Sequence, residues 1–221
     1  MPSIAAKPLG VKGQMYDVPL AHYQGIYEKL LPQEAAERCG LVFTGIAEGG
    51  YFHVRLMGTE YRAAFPSFEL RSIKDGSIVE NQPEKILIIR YLCEAQFVLC
   101  SGKQLSYNEV PSGPLYYRNF EGRCLKRAAF TFANDITGFR KIVKEKEERG
   151  LAVETLDKGD AGYRFEFLNG LYMSLLLWTG DEEFPPSAQM LFDDNFVFAF
   201  AAEDLAVVGE VAIRRLKSKA L

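Results

Sequence analysis

The dipeptide Asn169–Gly170 constrains this chain more than any other feature, because it separates two β-prone apolar runs, Tyr163 to Leu168 and Leu171 to Trp178. A two-residue connection of this composition takes left-handed backbone at both positions, and its twist suits two antiparallel strands. A hairpin is therefore expected there. Other β-prone runs, Leu41 to Ala47, Tyr51 to Met57 and Tyr61 to Phe65, are punctuated by Glu48-Gly49-Gly50 and Gly58-Thr59-Glu60, which predicts an antiparallel meander.

Helical patterns alternate with these runs. Pro19 to Leu30 and Pro32 to Cys39 read as short helices, since proline suits a first helical turn and Gly40 a C-terminal stop. Asn81 precedes Pro83 and Glu84 and predicts a capped, buried helix carrying Ile86, Leu87, Ile89, Leu92, Cys93 and Phe97. Val98 to Tyr117 reads as a loop-rich connection able to line a cleft, with turn signals at Ser101-Gly102 and Pro111-Ser112-Gly113-Pro114. Phe130, Ala133, Ile136, Phe139, Ile142 and Val143 predict one long amphipathic helix, supported by i,i+4 charge pairs before Gly150. Glu203 to Lys219 predicts a closing helix with basic residues toward its C-terminal end. The expected fold is α+β, an antiparallel sheet with packed helices, with a loose segment over residues 1–18 and a single domain over 19–221.

A chain of 221 residues, 48% apolar and 25% charged, is long enough to bury a substantial core. Its net charge of -3 gives no general attraction to phosphate backbones or anionic lipid, so neither a nucleic-acid nor a membrane partner is expected. The start has no apolar stretch behind a basic region, and Leu171 to Trp178 is too short to span a bilayer, which together predict a cytoplasmic protein. Cys39, Cys93, Cys100 and Cys124 form no C-x-x-C pair and are read as free thiols, mostly buried. With only His22 and His53 to add, no soft-metal cofactor is expected.

Nucleophile-elbow, phosphate-loop, dinucleotide-binding and H-E-x-x-H motifs are all missing from the sequence. His53, between Phe52 and Val54, reads as a surface or packing residue rather than a base. The densest chemistry lies from Trp178 to Asn195, with Asp181, Glu182, Glu183, Pro185 and Pro186 followed by Asp193 and Asp194. Asp181, Glu182, Glu183 and Asp193 have the oxygen ligands a hard cation takes, and this supports an alternative reading as a metal-dependent enzyme. Their order lacks the alternation of a calcium loop, so turn formation and capping rank first. Trp178 is a candidate pocket wall beside them. A second cluster, Arg118, Arg123, Lys126 and Arg127, is interleaved with Tyr116, Tyr117 and Phe120 and has the guanidinium forks that clasp a phosphate or carboxylate. Paired surface charges would give the same pattern.

The segment Leu177-Trp178-Thr179-Gly180-Asp181-Glu182-Glu183-Phe184-Pro185, with Leu191-Phe192-Asp193 and Ala202-Glu203-Asp204-Leu205, resembles the domain-of-unknown-function family 3786 of bacteria and archaea, mainly anaerobes. Ile86 to Leu92 and Ser112-Gly113-Pro114 resemble the family's middle helix and glycine turn, so the likeness runs from about residue 20 to about residue 210. The resemblance brings no assigned activity. It implies an accessory role near anaerobic one-carbon or corrinoid metabolism, although this chain lacks the cysteine-rich iron–sulfur segment of some members. The expected function is ligand or partner binding, to an unknown protein or small molecule, through Trp178, Asp181, Glu182, Glu183, Asp193, Arg118 and Arg123.

Overall fold

The computed structural model describes residues 14–218. The order of elements is α1 (Gln14–Tyr27), α2 (Pro32–Cys39), β1 (Phe43–Ile46), β2 (Gly49–Leu56), β3 (Thr59–Phe65), β4 (Leu70–Ser72), α3 (Gln82–Glu94), β5 (Gln104–Ser106), α4 (Gly113–Phe120), α5 (Ile136–Glu148), β6 (Val153–Leu156), β7 (Ala161–Leu168), β8 (Leu171–Trp178), β9 (Ser187–Asp193) and α6 (Ala202–Lys217). All pairing is antiparallel, in the order β4-β3-β2-β7-β8-β9-β5, with β1 also on β2 and β6 also on β7. The expected α+β fold is therefore the fold observed.

The sheet is two meanders joined at a narrow seam. Between β2 and β7 the register contains the pair Leu56↔Leu168, flanked by Met57 N–H donating to the Phe167 carbonyl at 2.8 Å and Asn169 N–H to the Arg55 carbonyl at 3.1 Å. So short a ladder needs side-chain help. Arg55 grips Glu166 with two bonds of 2.6 and 2.7 Å, and Glu166 also accepts from the Gly170 amide at 2.8 Å. The Asn169–Gly170 turn, at φ 39° and 82°, is thus tied to the other meander as well as closing its own hairpin.

Helices α3 and α6 supply most of the helical core. α3 starts at Gln82, with Pro83 in its first turn and Asn81 accepting from the Glu84 amide, and it buries Ile86, Leu87, Ile88, Ile89, Tyr91 and Leu92. α6 buries Leu205, Val208, Val211, Ala212, Ile213 and Leu216. Arg215 locks both helices to the sheet: its guanidinium holds Glu84 at 2.9 and 3.0 Å, the Leu56 carbonyl at 3.1 Å, Thr59 Oγ1 at 3.1 Å and the Tyr61 hydroxyl. A charge this deeply buried persists only with its donors satisfied.

Several local expectations change. The first helix begins at Gln14, with Pro19 inside it, while residues 1–13 of the expected loose segment lie outside the described residues. Part of the expected loop from Val98 to Tyr117 is β5 and the start of α4, because Pro114 in a first turn starts a helix as readily as it marks a bend. From Gly113 the helix runs on through two π-helical stretches, Glu121–Lys126 and Ala129–Ala133. The single helix expected from Phe130 to Val143 is split at Asp135, whose carboxylate caps a new start by accepting from the Gly138 amide at 2.8 Å. Phe130, placed on the apolar face by its spacing, is 80% exposed. The acidic stretch from Trp178 to Asn195 is not one loop, since β9 occupies Ser187–Asp193. Among the described residues no helix is long and apolar enough to cross a membrane.

Candidate functional site

The acidic run shows how its side chains are used. Asp181 accepts from the amides of Glu183 and Phe184 at 2.8 and 2.7 Å, and its own amide donates to the Phe184 carbonyl at 2.9 Å. Those backbone donors hold the Asp181 carboxyl below its ordinary value. Asp193 lies on the strand, 1% exposed, where Arg164 reaches it at 2.6 and 3.3 Å and Gln104 at 3.3 Å. Glu182 and Glu183 face solvent. Among the described residues no group of three His, Cys, Asp or Glu side chains stands close enough to hold a metal ion, so these four carboxylates do not converge. The sequence put Asp193 with the loop because of its neighbours; the sheet gives it to Arg164 instead. Trp178 is exposed at the end of β8, with its indole close to Gly159. His53 bonds Thr44 Oγ1 at 3.0 Å and lies against the Tyr51 ring, consistent with a packing residue.

A groove elsewhere gathers more chemistry. It follows the side of α6 that carries Glu203, Val207, Glu210 and Arg214, residues spaced four, three and four apart and therefore on one helix face. One wall is α1 and the exposed side of α3; the other is α4 and the π-helical turn after it. The wall is close because Gly209 has no side chain: a Cβ there would stand 2.6 Å from Cys124 Sγ and 3.2 Å from the Met190 sulfur. From Glu203 to Arg214 the helix rises about 17 Å.

Three hollows follow one another along this path. The upper one, of about 550 Å³, is lined by Arg90, Glu94, Tyr116, Phe198 and Glu203 with Val110 and Pro111. A middle hollow of about 310 Å³ shares Arg90, Tyr116 and Glu203 with it and adds Tyr16, Asn119, Arg123 and Asp204. The lower one, of about 760 Å³, shares Tyr16 and Arg123 with the middle and adds Gln82, Arg127, Glu210 and Arg214. The segment expected to line a cleft does so through Val110 to Tyr116. Of the predicted basic cluster, Arg123 and Arg127 line the groove, Lys126 pairs with Glu121 at 3.1 Å, and Arg118 is exposed outside the lining.

Between the upper and middle hollows Arg90 bonds Asp204, reaches Glu94 at 3.3 Å and lies over the Tyr23 ring at 5.1 Å. Tyr23 in turn donates to Glu94 at 2.8 Å. Asp204 is 6% exposed and also accepts from the Ala201 amide at 3.1 Å, capping α6. Burial pushes its carboxyl up to about 6, with Glu94 and Glu203 acting the same way and Arg90 and the Ala201 amide opposing. A buried carboxyl pushed upward by desolvation beside a cavity is the kind of group that marks a working site.

None of Arg90, Asp204, Glu203, Glu210 or Arg214 was singled out from sequence as a site residue. The readable signal was the 4-3-4 spacing of Glu203, Val207, Glu210 and Arg214, a mixed-charge stripe on an otherwise buried helix. Among the curated proteins and the solved structures compared, nothing matches the chain. The chain belongs to the family described as a domain of unknown function (DUF3786), whose model matches residues 32–215 and so takes in every groove residue named above except Tyr16 and the neighbouring Tyr23 of α1.

Proposed function

We propose that this is a ligand-binding protein whose groove along α6 accepts a small molecule, in keeping with the accessory role that the family resemblance suggests. The observation that carries the proposal is the run of three hollows over one helix face, with the Arg90–Asp204 pair at their junction. Ligand sites are typically hollows of about 300–1,000 Å³ with a few placed polar groups between apolar walls. Here Val110, Pro111, Phe198 and Val207 supply apolar wall, and Arg90, Glu203, Arg123 and Glu210 supply the polar points.

The wild-type chain is screened against a panel of neutral and charged small molecules by melting temperature, in parallel with Val207→Trp. Val207 is partly buried at the middle of the groove, so an indole there fills the passage without entering the core. Compounds that stabilise the wild-type chain are expected to lose that effect in the tryptophan variant, because a ligand raises apparent stability only where it binds the folded state. Hits that stabilise both chains equally would place the site elsewhere.

A further inference from the structure

We infer that the lower hollow recognises an oxyanion, a carboxylate or phosphate group, through Arg127 and Arg214 with Arg123 behind them. This rests on the groove being a ligand site and names the chemistry of its occupant. The basis is a shortage of acceptors. Arg123 takes both oxygens of Glu210, through Nε at 3.0 Å and Nη2 at 2.7 Å, and Arg127 is left 3.9 Å from the same carboxylate, too far for a hydrogen bond.

Glu84 is shared in the same way. Its Oε1 accepts from Arg214 Nη2 at 2.6 Å and from Arg215 Nε at 2.9 Å, while Oε2 accepts from Arg215 Nη2 at 3.0 Å. Four guanidiniums therefore draw on two carboxylates. Arg215 is completed by backbone and hydroxyl oxygens deep in the core, whereas Arg127 and Arg214 line the open hollow. Each guanidinium carries five N–H donors in a planar fork suited to two parallel bonds with an oxyanion. Glu80 also lines the hollow, but it is exposed to solvent, where its repulsion of an anion is screened. Glu210 and Glu84 stay engaged with Arg123 and Arg215, so an entering oxyanion completes the set instead of displacing them.

The test titrates the whole chain with inorganic phosphate in one arm and citrate in another, each against sodium chloride at equal ionic strength, reading melting temperature and heat of binding. Saturable stabilisation in at least one arm is expected, and the arm that binds more tightly identifies which oxyanion the hollow prefers. Arg127→Gln and Arg214→Gln are each expected to weaken it about tenfold, the worth of one charge-assisted hydrogen bond. Arg127 is exposed enough that its glutamine variant serves even if Arg214→Gln disturbs folding. Arg62→Gln, on β3 and outside the lining of all three hollows, is expected to bind as wild type. Equal behaviour in phosphate, citrate and chloride would overturn the inference, as would undiminished binding by Arg127→Gln. If neutral compounds bind the groove while neither anion does, the oxyanion inference falls and the ligand-binding proposal stands; if nothing binds the groove, both fall.

Discussion

The loop over residues 179–186 sets three charged side chains side by side, the groove along α6 gathers nine from across the chain, and the two use them in opposite ways. In the loop the carboxylates are neighbours in sequence, and the best placed of them, Asp181, spends both its accepted bonds on amides two and three residues on. In the groove, partners come from distant parts of the chain, as with Arg90 and Asp204 or Arg123 and Glu210, and they face hollows. Density of charge along a sequence therefore measures turn formation as readily as it measures chemistry. Convergence in space, with burial and an adjoining cavity, separates the two.

The contrast breaks most sharply in the buried network behind the groove, where Arg215 shares Glu84 with Arg214. Arg215→Leu removes the cation that Glu84, Thr59 and Tyr61 share and leaves Glu84 to Arg214 alone, so a loss of about 3–5 kcal/mol is expected in denaturant unfolding. A loss as small as that of a surface substitution would mean that the buried Arg215 network behind the groove is as dispensable as the loop.

Asp204 gives the next largest effect, and its sign is specific. Because its carboxyl is raised to about 6 in the fold, the folded chain holds this proton more tightly than the unfolded one. Its contribution to stability is full below the ordinary aspartate value and is lost as pH rises through about 6, on the order of 3 kcal/mol. Denaturation midpoints of wild type and Asp204→Asn measured from about pH 4 to about pH 8 isolate this component, because the exposed carboxylates are common to both. Subtracting the variant's profile should leave a decline with rising pH; a flat difference would show that Arg90 keeps Asp204 ionised throughout.

Gly209→Ala sharpens the comparison at the wall, where the added methyl meets Cys124 Sγ and must push the π-helical turn away from α6. Overpacking of this kind costs about 1–3 kcal/mol, and widening at Arg123 should show as a change in ligand affinity beyond the change in midpoint. Asp181→Ala is expected to have the smallest effect of the four. Since loop amides hold its carboxyl below the ordinary value, what it contributes is present above the unfolded value and fades as pH falls through the folded one. Melting scans with and without magnesium or calcium are expected to coincide for wild type and this variant; a cation-dependent rise lost on substitution would return function to the loop.

Much of the scaffold was legible because its signals are local. Asn169–Gly170 dictates its own turn, Asn81 its own cap, and Gly40 ends α2 in left-handed backbone with φ 68°. A local signal misleads where it has two meanings. Pro114 reads as a bend or a helix start, and Asp193 reads as part of an acidic turn until Arg164, on a neighbouring part of the sheet, claims it. The groove was hidden for a related reason. Its defining pairs join α3 to α6 and the π-helical turn to α6, and no periodicity within either segment announces which helix lies opposite. Of the binding residues proposed from sequence Arg123 reaches it, together with Tyr116 and Arg127 of the same cluster and the cleft-lining segment from Val110 to Tyr116.

Binding along α6 is tested most directly by amide chemical-shift mapping on the isotope-labelled chain, titrated with the compounds that stabilise it. Shifts are expected to concentrate at residues 203–214, 116–127 and 82–94, leaving 179–186 unmoved. Shifts centred on 179–186, with the α6 face silent, would contradict the groove as the site.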